Sequence, residues 1–499
     1  MNRRYSCARL FVVLLLAVPV GKGAESPARA TAAKEPLPSR SSKFPFAREA
    51  VRNPNICPVC GKPWGLQDTE NPHAECLKKV LPEKFPVVCP SCGLTLLVQK
   101  RLTRFHADEI DHDLCPHPPG NNRPLTEIII CPRCGLSGTE ELFRKGLTPE
   151  QKEWVKNNLT PQTQASIARL LSAKLVGIRV SPQESWKAFQ DMDSGTKQDQ
   201  VLEESVPEVL RCTNALAFAE RFEGENVAFL ARLSWLTAWA YRREVAGPLS
   251  GGDIANSLRR LQSFLNKTFP LGYFAPEKRV EALVAAYPDD KTHSMLERQL
   301  MLLIMAGDYQ RLGYTQWAAD CLNACLRNAQ DASLWRPDSN NPSGTALQRK
   351  TLIQEANARL EASGRERYFL LKAADLLQAA LEENLQRNGN LYAPTETPAM
   401  IYLVGEFRRR GGEFGRAYTW LEGAMKLQSL QEQGGAEIFA AGQIELLQAA
   451  LQGKPIPPNP RIAVDAPLIE RLATFVRENL PAAPSPVEET LPPAASPVR

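Results

Sequence analysis

From Leu147 onward, apolar residues recur at intervals of three and four. Val227–Arg243, Met295–Leu312, Ala373–Leu385 and Pro398–Arg409 show this most clearly, and the spacing lines one face of an α-helix. Start signals agree with it. Thr148-Pro149-Glu150-Gln151 offers a Thr cap, Pro at the first helical position and Gln three residues after the cap, and Ser181-Pro182-Gln183-Glu184 repeats that grammar. Earlier runs are shorter and different in kind. Leu94–Val98 and Ile128–Ile130 are compact apolar runs beside Cys-Pro-x-Cys-Gly segments and predict strands. The pattern therefore predicts a mainly α chain: a small β-rich zinc finger and zinc ribbon domain over residues 51–145, then an α-helical region over 146–480.

Two helical stretches share a finer pattern. Gly313, Ala318, Leu322 and Cys325 follow the same spacing as Gly412, Ala417, Leu421 and Ala424. Gly permits a tight turn between antiparallel helices, and the small residues let the second helix pack closely on the first. Ala318 and Ala417 lie 99 positions apart, close to three tetratricopeptide periods of about 34 residues. These segments resemble tetratricopeptide-like hairpins, although Leu352–Leu385 does not keep the spacing; an irregular helical bundle is the alternative.

The chain ends have their own character. Residues 1–24 carry Arg3, Arg4 and Arg9 ahead of an apolar run, Leu10–Val20, and then small residues. That run falls short of the about 20 residues that span a bilayer and predicts an export signal. Residues 25–50 read as a linker and 481–499 as a disordered Pro/Ala-rich tail. The expected location is periplasmic or extracellular, with no stable membrane span after signal cleavage.

Composition narrows the function classes. The chain is 43% hydrophobic and 23% charged, with a net charge of +5, as in ordinary soluble proteins. Four of those positive charges lie in residues 1–24, and residues 51–145 are nearly balanced. The local cationic excess of a phosphate-backbone binder is missing, so no nucleic-acid partner is expected.

Of the 12 Cys, eight fall between Cys57 and Cys134, with four of the five His. Three segments are alike: Cys57-Pro-Val-Cys60-Gly61, Cys89-Pro-Ser-Cys92-Gly93 and Cys131-Pro-Arg-Cys134-Gly135. The trailing Gly suits a knuckle that curls around a metal ion, whereas a redox C-x-x-C opens a long helix. Four-coordinate structural zinc then predicts two ions. Cys89, Cys92, Cys131 and Cys134 form a ribbon site over 89–134. Cys57, Cys60, His73 and Cys76 form a finger over 57–76. An alternative pairs Cys57 and Cys60 with Cys89 and Cys92, and leaves Cys131 and Cys134 to recruit Cys115 and His117.

Cys115 lies in an acidic, His-containing run, Asp111-His112-Asp113-Leu114-Cys115-Pro116-His117, with His106 and Asp108 upstream. An open third site at His112, Cys115 and His117 would allow zinc-activated hydrolysis. The plainer reading makes Cys115 a buried structural thiol and the acidic run a solvated loop.

These residues resemble a bacterial domain-of-unknown-function family. The resemblance rests on Cys89–Gly93, Asp113-Leu114-Cys115-Pro116, Asn122-Arg123-Pro124-Leu125, the strand entering Cys131–Gly135, and the Leu142-Phe143 and Leu147–Glu150 joint. It implies a CPxCG zinc-ribbon-like front and a tetratricopeptide-like rear, and carries no activity. The Cys57–Cys76 finger and the export signal depart from the family pattern.

No nucleotide loop, G-x-S-x-G elbow or H-E-x-x-H segment is present, and no catalytic residue is assigned. The expected function is an exported interaction or scaffold module that binds a protein or peptide partner, its zinc structural. The alternative is a zinc-dependent hydrolase or thiol oxidoreductase using the 106–117 or CPxC cluster. The helical region is expected to stand without residues 1–145.

Overall fold

The computed structural model describes residues 84–99, 109–111, 113, 115–117, 128–166, 206–246, 252–269, 278–282, 295–335, 342–387, 389, 391–428, 444 and 462–479. The expectations for the signal, the linker, the tail, the Ser181 cap, His106, His112 and the finger of Cys57, Cys60, His73 and Cys76 fall outside these residues.

The described chain is mainly helical, with small two-stranded sheets at its start. β1 (Lys84–Val88) pairs antiparallel with β2 (Thr95–Gln99), Val88 opposite Thr95. β3 (Glu109–Ile110) pairs with β4 (Pro116–His117), and β5 (Ile129–Ile130) with β6 (Ser137–Gly138). Val87, Cys89, Leu96 and Val98 are buried, while Pro86, Val88 and Thr95 are exposed. The first hairpin thus has one wet face and one packed face, as the period-two geometry of a strand requires.

Helices follow. α1 (Glu140–Lys145) and α2 (Pro149–Trp154) lead into a π-helical turn, Val155–Leu159. The Thr148 cap forms as expected: its hydroxyl accepts from the Gln151 N–H, and the Gln151 side chain accepts from the Thr148 N–H. Then come α3 (Glu208–Phe222), α4 (Val227–Ala246), α5 (Gly252–Thr268), α6 (Met295–Leu312), α7 (Thr315–Gln330), α8 (Pro342–Gln386), α9 (Thr397–Gly411), α10 (Phe414–Gln428) and α11 (Ile462–Asn479). No helix among the described residues is long and apolar enough to cross a membrane.

The Gly-led pattern marks two helix hairpins, α6–α7 and α9–α10. Gly313 and Gly412 adopt φ of 81° and 82°, and each turn closes with the paired hydrogen bonds of a left-handed helix end. Tyr314 N–H reaches the Tyr309 carbonyl, and Glu413 N–H the Arg408 carbonyl. Ala318, Leu322, Cys325, Ala417, Leu421 and Ala424 are all fully buried. Between the hairpins runs one 45-residue helix, α8, so the intervening stretch is not built of helix pairs at the 34-residue spacing. α8 is a spine along which α4, α7 and α9 pack.

α9 is buried along its whole length, including Arg408, Arg409 and Arg410 in its last turn. These arginines do structural work that solvent would otherwise do. Arg409 donates to the Leu312 and Gly313 carbonyls, and Arg410 to those of Gln310 and Arg311. The orphan carbonyls at the C-terminus of α6 are thereby capped by cations, as its dipole favours. Glu406, one turn earlier on α9, accepts from both guanidiniums at 2.7–2.8 Å.

Candidate metal centre

The Cys89–Gly93 and Cys131–Gly135 segments each close a hairpin, and the two closures match. Cys89 N–H donates to the Leu94 carbonyl at 2.8 Å and Gly93 N–H to the Cys89 carbonyl at 2.9 Å. Cys131 N–H donates to Leu136 and Gly135 N–H to Cys131, both at 2.8 Å. Gly93 and Gly135 sit at φ of 73° and 77°, a conformation that costs a residue with a Cβ about 1–2 kcal/mol. That is why Gly follows the second Cys in these two knuckles.

The two knuckles face each other. The four sulfurs of Cys89, Cys92, Cys131 and Cys134 lie within 4.8 Å of one another, with Cys89–Cys134 at 3.6 Å and Cys92–Cys131 at 3.5 Å. Zinc–sulfur bonds of about 2.3 Å in a tetrahedron put sulfurs roughly 3.8 Å apart, so these four residues could hold a metal ion with little movement. Hydrogen bonds with Cys131 and Cys134 push the Cys89 and Cys92 thiols down, while sharing with Cys134 and Cys89 pushes Cys131 up. A bound cation would supply the charge that lets all four ionise.

The second knuckle is embedded in helices. The Arg211 guanidinium donates to the Ile128 carbonyl at 2.8 Å, Asn214 Nδ2 to the Gly135 carbonyl at 2.9 Å, and Thr160 Oγ1 to the Cys134 carbonyl at 3.0 Å. A Cβ on Gly135 would lie 2.1 Å from Thr163 Oγ1. Cys131, Leu136, Val155, Leu159 and Phe218 share one core with Val87 and Leu96 of the first hairpin. A Cβ on Gly93, by contrast, meets nothing within 4 Å, and Cys92 is only half-buried.

The acidic run between the knuckles is not a solvated loop. Asp111 N–H bonds the Cys115 carbonyl at 2.9 Å, and the turn so formed enters the helical core. Arg242 of α4 is fully buried there. Its Nη1 reaches Asp111 at 3.0 Å and Asp113 at 2.7 Å, its Nη2 reaches Asp113, and its Nε reaches Glu366 of α8 at 2.7 Å. Trp239 Nε1 donates to Asp113 at 3.1 Å, and Arg410 lies 3.7 Å from it. Burial works to raise the Asp113 pKa, but Arg242 and Arg410 overcome it and hold the carboxyl down at about 2. For Glu366 burial wins against the same two arginines, and its pKa rises. The network sets Asp111, Asp113, Glu366 and Glu406 against Arg242, Arg311, Arg409 and Arg410. Among these residues four carboxylates face four guanidiniums.

Cys115 is the buried thiol of the plainer reading. It belongs to the core cluster of Trp235, Trp239 and Phe407, and burial drives its pKa well above the ordinary value. That environment disfavours the thiolate that metal ligation or nucleophilic attack needs. The expectation of a self-sufficient helical region gives way here, because Asp111, Asp113 and Cys115 are parts of its interior. Nothing in the composition announced the pairing: Arg408-Arg409-Arg410 reads as a wet helix end, and Asp113 meets Arg242 across 129 positions. The one available signal was the unbroken apolar run Ala399–Val404 at the start of α9, which marks a buried helix segment.

No protein-family model, curated protein or solved structure matches this chain.

Proposed function

We propose that this protein is an exported scaffold that carries two structural zinc ions and binds a protein or peptide partner through its helical region. The observation that carries the reading is the closed geometry of Cys89, Cys92, Cys131 and Cys134. A tetrahedral ion held by four protein sulfurs keeps no open position for water or substrate, so it holds a fold and does no Lewis-acid chemistry. Cys57, Cys60, His73 and Cys76 would hold the second ion. The two knuckles would then be those of a zinc ribbon, and the α6–α7 and α9–α10 hairpins tetratricopeptide-like units, in keeping with the resemblance to the domain-of-unknown-function family. Export rests on residues 1–24. The even charge of residues 51–145 argues against a nucleic-acid partner.

Because α9 is wholly buried, the partner surface falls on other helices. Leu347 and Tyr368, on the α8 spine, are exposed apolar residues that would contribute to it. Metal analysis of the purified mature chain tests the zinc reading. Two zinc ions per chain are expected, falling to one in Cys131→Ser. A single zinc, iron in its place, or disulfides joining the CPxC pairs in native material would sink it. Leu347→Glu with Tyr368→Glu should abolish partner capture and leave zinc content unchanged; undiminished capture puts the surface elsewhere.

A further inference from the structure

Asn214 sits on α3, 79 positions from the knuckle it touches, and is 2% exposed. Its amide bridges two elements: Nδ2 donates to the Gly135 carbonyl at 2.9 Å and to Thr163 Oγ1 at 3.1 Å. Thr163 is fully buried and lies against the α-carbon of Gly135. Gly135 ends the turn that aims the Cys131 and Cys134 sulfurs, so the orientation of its peptide sets where those sulfurs point. We propose that Asn214 is a positioning residue for the metal, with Thr163 as its brace, and that the helical region thereby sets the affinity of the four-cysteine centre. This rests on the metal-binding reading above.

The physical case is preorganisation. Two of the four ligands are held in place before the ion arrives, and the ion need not supply the cost of ordering them. Groups that orient ligands from behind typically change metal affinity by about 10–100-fold when removed. Asn is suited to the task because a buried amide can donate two hydrogen bonds without bringing a charge next to four thiolates.

The test uses the full chain with Cys57→Ser and Cys60→Ser, which silences the proposed second site. Cobalt(II) is bound, its thiolate charge-transfer absorption is followed, and affinity is measured by chelator competition. Asn214→Leu keeps the volume and removes the donors. The expected result is an affinity about 10–100-fold weaker and a shifted charge-transfer band in a protein that still folds, its melting temperature before cobalt lowered by the two lost hydrogen bonds. A folded Asn214→Leu protein with wild-type affinity and spectrum overturns the proposal. Should that variant not fold, Thr163→Val and Thr163→Ser decide. Ser keeps the acceptor and should bind like wild type, while Val should fall between wild type and the tenfold loss. Equal affinities for the two overturn the proposal. Cobalt bound by Cys131→Ser with the affinity and charge-transfer spectrum of the parent is a different result: it shows that the ion was never at this centre, and the metal reading fails together with the inference.

Discussion

Two turns of nearly the same sequence, CPSCG and CPRCG, fold to the same hydrogen-bonded shape and live in different surroundings. The Cys89–Gly93 turn tips a hairpin with one exposed face, and the space beside Gly93 is open. The Cys131–Gly135 turn is fastened from behind by Arg211, Asn214 and Thr160. A local motif therefore specifies ligand geometry but not how closely the turn is packed from behind. The difference lies in which residues the helices bring to the back of the turn.

The largest expected effect comes from the buried charges beside the embedded knuckle. Asp113→Ala leaves Arg242 facing Asp111 and Glu366 alone, and removing one partner of a buried ionic group typically costs about 3–5 kcal/mol. Denaturant unfolding should show that loss in the helical signal, not only in the small sheets. A helical transition at the wild-type midpoint would mean that the region between the knuckles is peripheral after all.

Next in size is the contrast between the glycines. Gly93→Ala should cost about 1–2 kcal/mol, the strain of a left-handed Cβ residue. Gly135→Ala meets the same strain and also drives its methyl into Thr163 Oγ1 and toward the Leu159 carbonyl, for about 1–3 kcal/mol more. Matched thermal melts decide it, and equal losses would erase the distinction between the turns.

A smaller effect is expected on removing one fastener. Thr160→Val deletes the bond to the Cys134 carbonyl and should destabilise by about 1 kcal/mol, with no counterpart on the first knuckle among the described residues. The same melts read this, and no change would show that the carbonyl finds another donor.

A last test uses acid. The Asp113 carboxyl titrates at about 2 in the folded protein, against 3.8 ordinarily. Its stabilisation is therefore complete above about pH 4 and is lost as pH falls through about 2. Glu366, shifted upward by burial, gives the opposite slope, its share being lost as pH rises through its own pKa. Subtracting an Asp113→Asn stability profile from that of wild type isolates the first term, because both chains share the acid lability of the thiolates. A flat difference between pH 4 and pH 2 would contradict the assigned pairing.

Periodic features of the sequence were legible because they are local. Met295–Leu312 and the α9 stretch declared their helices through spacing, Thr148 its cap, Gly313 and Gly412 their turns, and the CPxCG pairs their sulfur cluster. Asp111, Asp113, Arg242 and Arg410 were not legible. A charged side chain has the same local pattern whether it faces water or a partner brought from elsewhere in the chain, and only the tertiary fold chooses. Asn214 was hidden for the same reason: a lone Asn in a helix carries no mark of the carbonyl it meets.

The central charge network also has a timetable. Asp113 leaves the ribosome early, yet its companions arrive on helices far downstream: Arg242 at a separation of 129 positions and, for Asp111, Arg311 at a separation of 200, with Glu366 and Arg410 later still. Contacts this distant in sequence form late and slow the search for the native state. Until α9 has been synthesised, the acidic turn has no complete set of counter-charges and the end of α6 no guanidinium caps. The N-terminal part of this protein therefore finishes folding only when most of the chain exists, and a stalled or clipped chain ending before Arg410 should remain protease-sensitive at both ends.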